Sequence, residues 1–170
     1  MKIFFLLFLV SSLLFSSNDA IQKFDLGMQY LLGKGVQQDK QKALIYLQEA
    51  AKMGSAEAQY NLALIYYLGD GVKQDTKKSL DLLEKSANQG YKKAVENVGR
   101  IAMQLIEFDK ALHWLKINAN HGDFKANYLI AEIYITKEDF ANAKIYAKKA
   151  IDSGDGDAKL LWEEYKLSNF

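Results

Sequence analysis

The chain has 170 residues, 49% of them hydrophobic and 25% charged, with no cysteine and no proline. Zero cysteine excludes a disulfide framework, cysteine-ligated zinc, iron–sulfur clusters and thiol catalysis. With 22 Lys+Arg against 21 Asp+Glu, there is no electrostatic reason to expect nucleic acid as a partner.

Residues 1–20 read as a segment apart from the rest. Lys2 is followed by Ile3-Phe4-Phe5-Leu6-Leu7-Phe8-Leu9-Val10, then Leu13-Leu14-Phe15 and the small or polar stretch Ser16 to Ala20. A short basic start, an apolar run and a small-residue region form the layout of a secretory signal peptide. The run is short of the roughly 20 apolar residues of a permanent span, with a short membrane anchor as the other reading. Either way residues 21–170 are expected outside the cytoplasm, most simply in the periplasm with secretion as the alternative, and with membrane contact only through an uncleaved leader.

From there on the chain repeats itself. Tyr30, Gly33, Gly35, Val36, Asp39, Leu44, Leu47, Ala51, Gly54 and Ala58 recur 36 residues later as Tyr66, Gly69, Gly71, Val72, Asp75, Leu80, Leu83, Ala87, Gly90 and Ala94. Further on the offset becomes 32: Leu83, Ala87, Gly90 and Ala94 map to Leu115, Ala119, Gly122 and Ala126, and Phe108 and Ala111 map to Phe140 and Ala143. Four units follow, with a four-residue deletion expected between the two helices of the later ones.

Each unit reads as a helix pair. Ala58, Leu62, Ala63 and Tyr66 form a helical stripe. Gly69-Asp70-Gly71 supplies residues free to take positive φ. Asp75 is placed to cap the next helix, which carries Ser79, Leu80, Leu82, Leu83, Ser86 and Ala87. Small residues at Ala43, Ser79, Ala111 and Ala143 permit close helix approach, and Gly54, Gly90, Gly122 and Gly154 end helices in place of proline. One pair cannot bury its apolar face alone, so the units are expected to stack as an all-α, right-handed α-solenoid of about four antiparallel helix pairs. A capping helix around 158–167 should close the array, with Trp162 at the Leu62 position and Glu163, at the Ala63 position, refusing a further helix.

The wording Leu26-Gly27-x-x-Tyr30-x-x-Gly33-x-Gly35-Val36-x-x-Asp39-x-x-Lys42-Ala43, repeated from Leu62, resembles a Sel-one-like repeat (SLR). Phe108-Asp109-Lys110-Ala111 and Phe140-Ala141-Asn142-Ala143 are nearer tetratricopeptide (TPR) wording and lack the Gly-x-Gly-Val insertion. The resemblance covers residues 21–158 and implies a non-enzymatic adaptor that binds a protein or peptide. It also implies that the first helix of each pair lines a concave groove. The residues expected there are Phe24, Met28 and Leu31, then Tyr60, Leu64 and Tyr67. Glu96, Arg100 and Met103 follow in the third unit, and Tyr128, Glu132 and Ile135 in the fourth. Apolar groups at one end would thus give way to charged ones, with Arg100, the only arginine, suited to a carboxylate of Glu96 or of a partner. The other reading is that the apolar members pack on one another.

Catalytic chemistry finds little support. His113 and His121 are in no metal-binding pattern, Asp152 to Asp157 lacks the order of a calcium loop, and Gly33-Lys34-Gly35 is no phosphate loop. No metal and no cofactor is expected. Some secreted, cysteine-rich SLR proteins are described as penicillin-binding or weak β-lactamases, which keeps that activity as an alternative. This chain has none of their cysteines and no Ser-x-x-Lys, Lys-Thr-Gly or Ser-Asp-Asn. Nitrocefin turnover above a denatured control would reverse the non-enzyme expectation.

Overall fold

A computed structural model describes residues 18–170. The export segment expected at residues 1–20 lies, for residues 1–17, outside the described residues. Residues 18–20 are helical and continuous with the helix that follows. We number the helices α1 (18–32), α2 (Lys40–Lys52), α3 (Ala56–Leu68), α4 (Thr76–Asn88), α5 (Lys92–Gln104), α6 (Phe108–Asn120), α7 (Lys125–Thr136), α8 (Phe140–Asp152) and α9 (Gly156–Glu164), with a closing 3₁₀ turn at Leu167–Asn169. No strand occurs among the described residues. The all-α helix-pair repeat expected from the sequence is therefore present. By its contacts the chain divides into two compact units, one ending at Ala94 and one beginning at Val95.

In the first unit α3 packs along α4 and α2 against α3; in the second α7 packs along α8, α6 against α7, and α8 against α9. The alanines that recur in the repeat are buried in the order the periodicity demands: Ala43, Ala58, Ala63, Ala111, Ala126, Ala131, Ala143, Ala147 and Ala158 are all inaccessible. Glycine makes the closest approaches. A Cβ on Gly27 would lie 2.8 Å from Leu47 Cγ, and one on Gly99 would lie 2.9 Å from Leu115 Cγ. Leu47 and Leu115 are fully buried, so neither can swing aside.

The four-residue deletion falls where expected, in the turn inside each later pair. The long turns are closed by Asp39 N donating to Tyr30 O (3.0 Å) and Asp75 N to Tyr66 O (2.9 Å). In the short turns the equivalent bonds survive, Glu107 N to Ala102 O (2.9 Å) and Asp139 N to Tyr134 O (2.8 Å). The long form has a second clasp: Gln38 Nε2 donates to Leu31 O (2.9 Å), and Gln74 Nε2 to Tyr67 O (2.8 Å). Asp39, Asp75 and Asp139 then cap the following helices by accepting from Gln41 and Lys42, Lys78, and Asn142 backbone N–H groups. These hydrogen bonds favour the ionised carboxyl and hold Asp39 and Asp139 below the ordinary carboxylate range: the Lys42 amide leads for Asp39, the Asn142 side chain for Asp139.

Between pairs, Ser55, Tyr91, Asp123 and Asp155 each donate their N–H back to the carbonyl five residues earlier. The intervening Gly54, Gly90, Gly122 and Gly154 sit at φ of 95, 79, 93 and 89°, the left-handed conformation that such a helix stop requires.

The C-terminus departs from expectation. The last helix stops at Glu164 instead of continuing to residue 167. Lys166 takes φ 47°, ψ 45°, and this turn sends Leu167 into a core of Ala131, Ala143, Ala147 and Leu161. Leu161, not Trp162, is the large side chain that α9 buries beside Ala158; Trp162 is half-buried and Glu163 is exposed.

Candidate protein-docking face

The first helix of each pair exposes a face that its second helix does not cover. All the expected groove residues lie on these helices, and none of them is fully buried.

In the first unit they divide between packing and surface. Phe24 packs against the core of Ala50, Ala51, Ala58, Leu62 and Tyr66, and Tyr60 sets its ring 5.3 Å from that of Tyr91. Leu31, Leu64 and Tyr67 are half-buried. Met28 lines a depression of about 490 Å³ with Asp25, Gln29, Leu32, Lys34 and Gly35. Leu32 and its repeat counterpart Leu68 are 64% and 70% exposed.

In the second unit, Arg100 and Met103 line a depression of about 600 Å³ together with Gln104, Lys125 and Leu129. Arg100 pairs with Asp123 at 3.0 Å, a carboxylate in the turn before α7. That pairing was not among those expected from the sequence, which weighed Glu96 and a partner. Glu96 is half-buried, and its carbonyl accepts from the Asn118 amide at 3.3 Å. Tyr128 and Ile135 pack on the Leu161–Leu167 core. The Tyr128 hydroxyl donates to Glu132 Oε1 at 2.8 Å, which sets the direction of that carboxylate. Burial, followed by this bond to an anion, pushes the Tyr128 phenol up to about 12, so it remains a donor.

Lys125, Leu129, Gln104 and Leu32 escaped the sequence reading. Groove positions on one side of each first helix leave out Lys125 and Leu129, because the α5–α7 depression also takes the facing side of the next helix, and they leave out Leu32 and Gln104, each one residue beyond the groove positions Leu31 and Met103. The signal was present in the repeat: Leu129 stands where earlier units carry Asn61 and Asn97, an apolar residue replacing polar ones on an exposed stripe.

The arrangement offers an apolar floor with polar and charged corners, which suits binding. Among the described residues no group of three or more His, Asp or Glu could hold a metal ion. Nor is any described helix long and apolar enough to cross a membrane.

Comparison with known proteins agrees with this architecture. The Sel1 repeat family matches residues 23–55, 56–91, 107–123 and 126–155. The Sel1-repeat-containing protein YjcO of Escherichia coli (strain K12) is 39% identical over 51 residues, which is 30% of this chain and 22% of that protein. The match thus spans about a fifth of the length of this relative. A Sel1 repeat protein from Oxalobacter formigenes superposes with a TM-score of 0.63 at 27% identity, covering 85% of this chain and 61% of that one. The structure of c5321, a protective antigen present in uropathogenic Escherichia coli strains and displaying an SLR fold, gives 0.58 at 25% identity, covering 84% and 32%. With four repeats matched across most of its length, the chain belongs to the Sel1 repeat family.

Proposed function

We propose that this protein is an exported, non-enzymatic interaction module that binds a segment of another protein on the exposed faces of its first helices. A Sel1 repeat scaffold is a fold consistent with protein–protein interaction. The observation that carries the reading is the depression between α5 and α7, where Met103 and Leu129 form an apolar floor and Arg100 and Lys125 are charged corners. Recognition surfaces combine these features: apolar burial supplies affinity and charges at the rim select the partner. Location outside the cytoplasm rests on the basic, apolar and small-residue order of residues 1–20.

The test is site-specific photocrosslinking in bacterial cells producing the full chain. A photoreactive residue at position 129 should yield a discrete adduct with one protein in the envelope fraction. The same residue at Ile145, which is exposed on α8, should not. Equal adducts from both positions, or none from position 129, would overturn the docking face. Recovery of the protein in the cytoplasmic fraction alone would overturn export.

A further inference from the structure

The repeat places two oppositely charged sites side by side in the second unit. Shifting the α5–α7 depression by 32 residues carries Met103 to Ile135 and Leu129 to Leu161, which pack in the core that α7 and α9 share, so the accessible apolar floor belongs to the first site. The same shift carries Arg100 to Glu132 and Lys125 to Asp157, so both corners change from cationic to anionic. The three helices concerned are neighbours. α5 and α7 line one depression, while Tyr128 of α7 shares a core with Leu161 and Trp162 of α9. Tyr128 also feels the charges of Asp155 and Asp157 at the start of α9.

Each corner retains capacity for a ligand. The Arg100 side chain is 44% exposed with one nitrogen on Asp123, and a guanidinium has further N–H donors to offer. Lys125 is exposed and makes no ion pair among the described residues. Glu132 accepts from Tyr128 through one oxygen, and Asp157 is exposed in the first turn of α9.

We infer that this face is a two-pole docking surface for a short extended peptide segment carrying a carboxylate and a cationic side chain about one repeat apart, with apolar residues between them. Packed helices lie about 8–10 Å apart, and a chain in the extended polyproline-II form rises about 3.1 Å per residue with three residues per turn, so side chains three residues apart share one face about 9 Å from each other. The two charges therefore belong about three residues apart. The carboxylate sits over Arg100 and Lys125, the cation over Glu132 and Asp157, and the apolar side chains lie toward Met103 and Leu129. A peptide with two like charges would satisfy one pole and be repelled by the other. The inference names the partner chemistry of the docking face proposed above and rests on that reading.

The probes are four blocked tetrapeptides, acetyl-X-Leu-Leu-Z-amide with X and Z as Glu/Lys, Glu/Glu, Lys/Lys or Gln/Gln, titrated into the ¹⁵N-labelled full chain. The Glu/Lys peptide should bind about tenfold more tightly than Gln/Gln, shift amides of α5, α7 and α9, and weaken as salt rises. In Lys125→Glu, an exposed position whose helicity is checked by circular dichroism, preference should move to the Lys/Lys peptide. Equal binding of all four peptides, shifts confined to other helices, or no shift at millimolar peptide would overturn the inference. Adducts at position 129 that persist while the peptides fail to discriminate would remove the two poles and leave the docking face standing. Loss of both would remove both.

Discussion

Ser79 is fully buried in α4, and its hydroxyl has no hydrogen-bond partner, whereas Ala43, Ala111 and Ala143 hold the same repeat position. An unsatisfied buried hydroxyl costs about 1–3 kcal/mol, and alanine is the better helix former by a few tenths. The methyl it leaves fits a site where three other units already accept one. Ser79→Ala should therefore stabilise the protein by about 1 kcal/mol, seen as a higher urea midpoint with an unchanged slope; a lower midpoint would refute this. Ser86 is the contrast: its hydroxyl donates to Ala56 O at 2.7 Å and ties α4 to α3. Small-residue periodicity made both serines legible as core but could not separate the bonded one from the orphan, because partners depend on which carbonyl lies opposite. The site was legible in the same partial way. Glu96, Arg100 and Glu132 stand out as charges on an otherwise aromatic and aliphatic register. Lys125 and Asp157 do not, since a charge in the first turn of a helix looks like ordinary solvation until the neighbouring helix is placed beside it.

Among the elements, the turns inside the pairs were read most completely, because the Gly-x-Gly insertion and its four-residue deletion are written in the repeat itself. What the sequence concealed was the way the shortened turn works. Gly33 and Gly69 take φ of 68° and 69° in the long turns, but in the short ones Ile106 and Glu138 occupy the left-handed region at 62° and 58°. For a β-branched residue this conformation is an outlier costing about 1–2 kcal/mol. Ile106 recovers little by burial, being 71% exposed. Ile106→Gly removes that strain at the cost of greater chain entropy when unfolded, about 0.5–1 kcal/mol. The net expectation is stabilisation of up to about 1 kcal/mol, measured by thermal or urea unfolding, with Ile106→Val as the control that keeps the strain and should gain nothing. A destabilised glycine variant would show that the isoleucine side chain contributes more than its exposure implies. The end of α9 was misread for a related reason. Helical periodicity continues through Leu167 on paper, but the chain breaks at Lys166, whose left-handed backbone is set by where Leu167 must go.

On the scale of the whole molecule, each unit of a repeat array is supported by what packs beside it. Beside α8 and α9 that support is the segment after α9. Leu167 is fully buried against α7, α8 and α9 residues, the Phe170 ring stacks on Phe140 at 4.8 Å, and Lys144 Nζ donates to Ser168 O at 3.3 Å. Composition foreshadowed how much rests on such contacts, since with no cysteine no disulfide can hold this segment in place. Leu167→Ala should cost about 2–5 kcal/mol, as truncation of a fully buried leucine does. Because contacts in a repeat array are local, the loss should be distributed unevenly. Hydrogen exchange should accelerate first in α9 and α8, the helices that Leu167 and Phe170 touch, while the amides of α3 and α4 keep their protection. Uniform acceleration in every helix would mean that the chain unfolds as one cooperative body. Unchanged protection in α8 and α9 would mean that the C-terminal segment merely rests on the array without closing it.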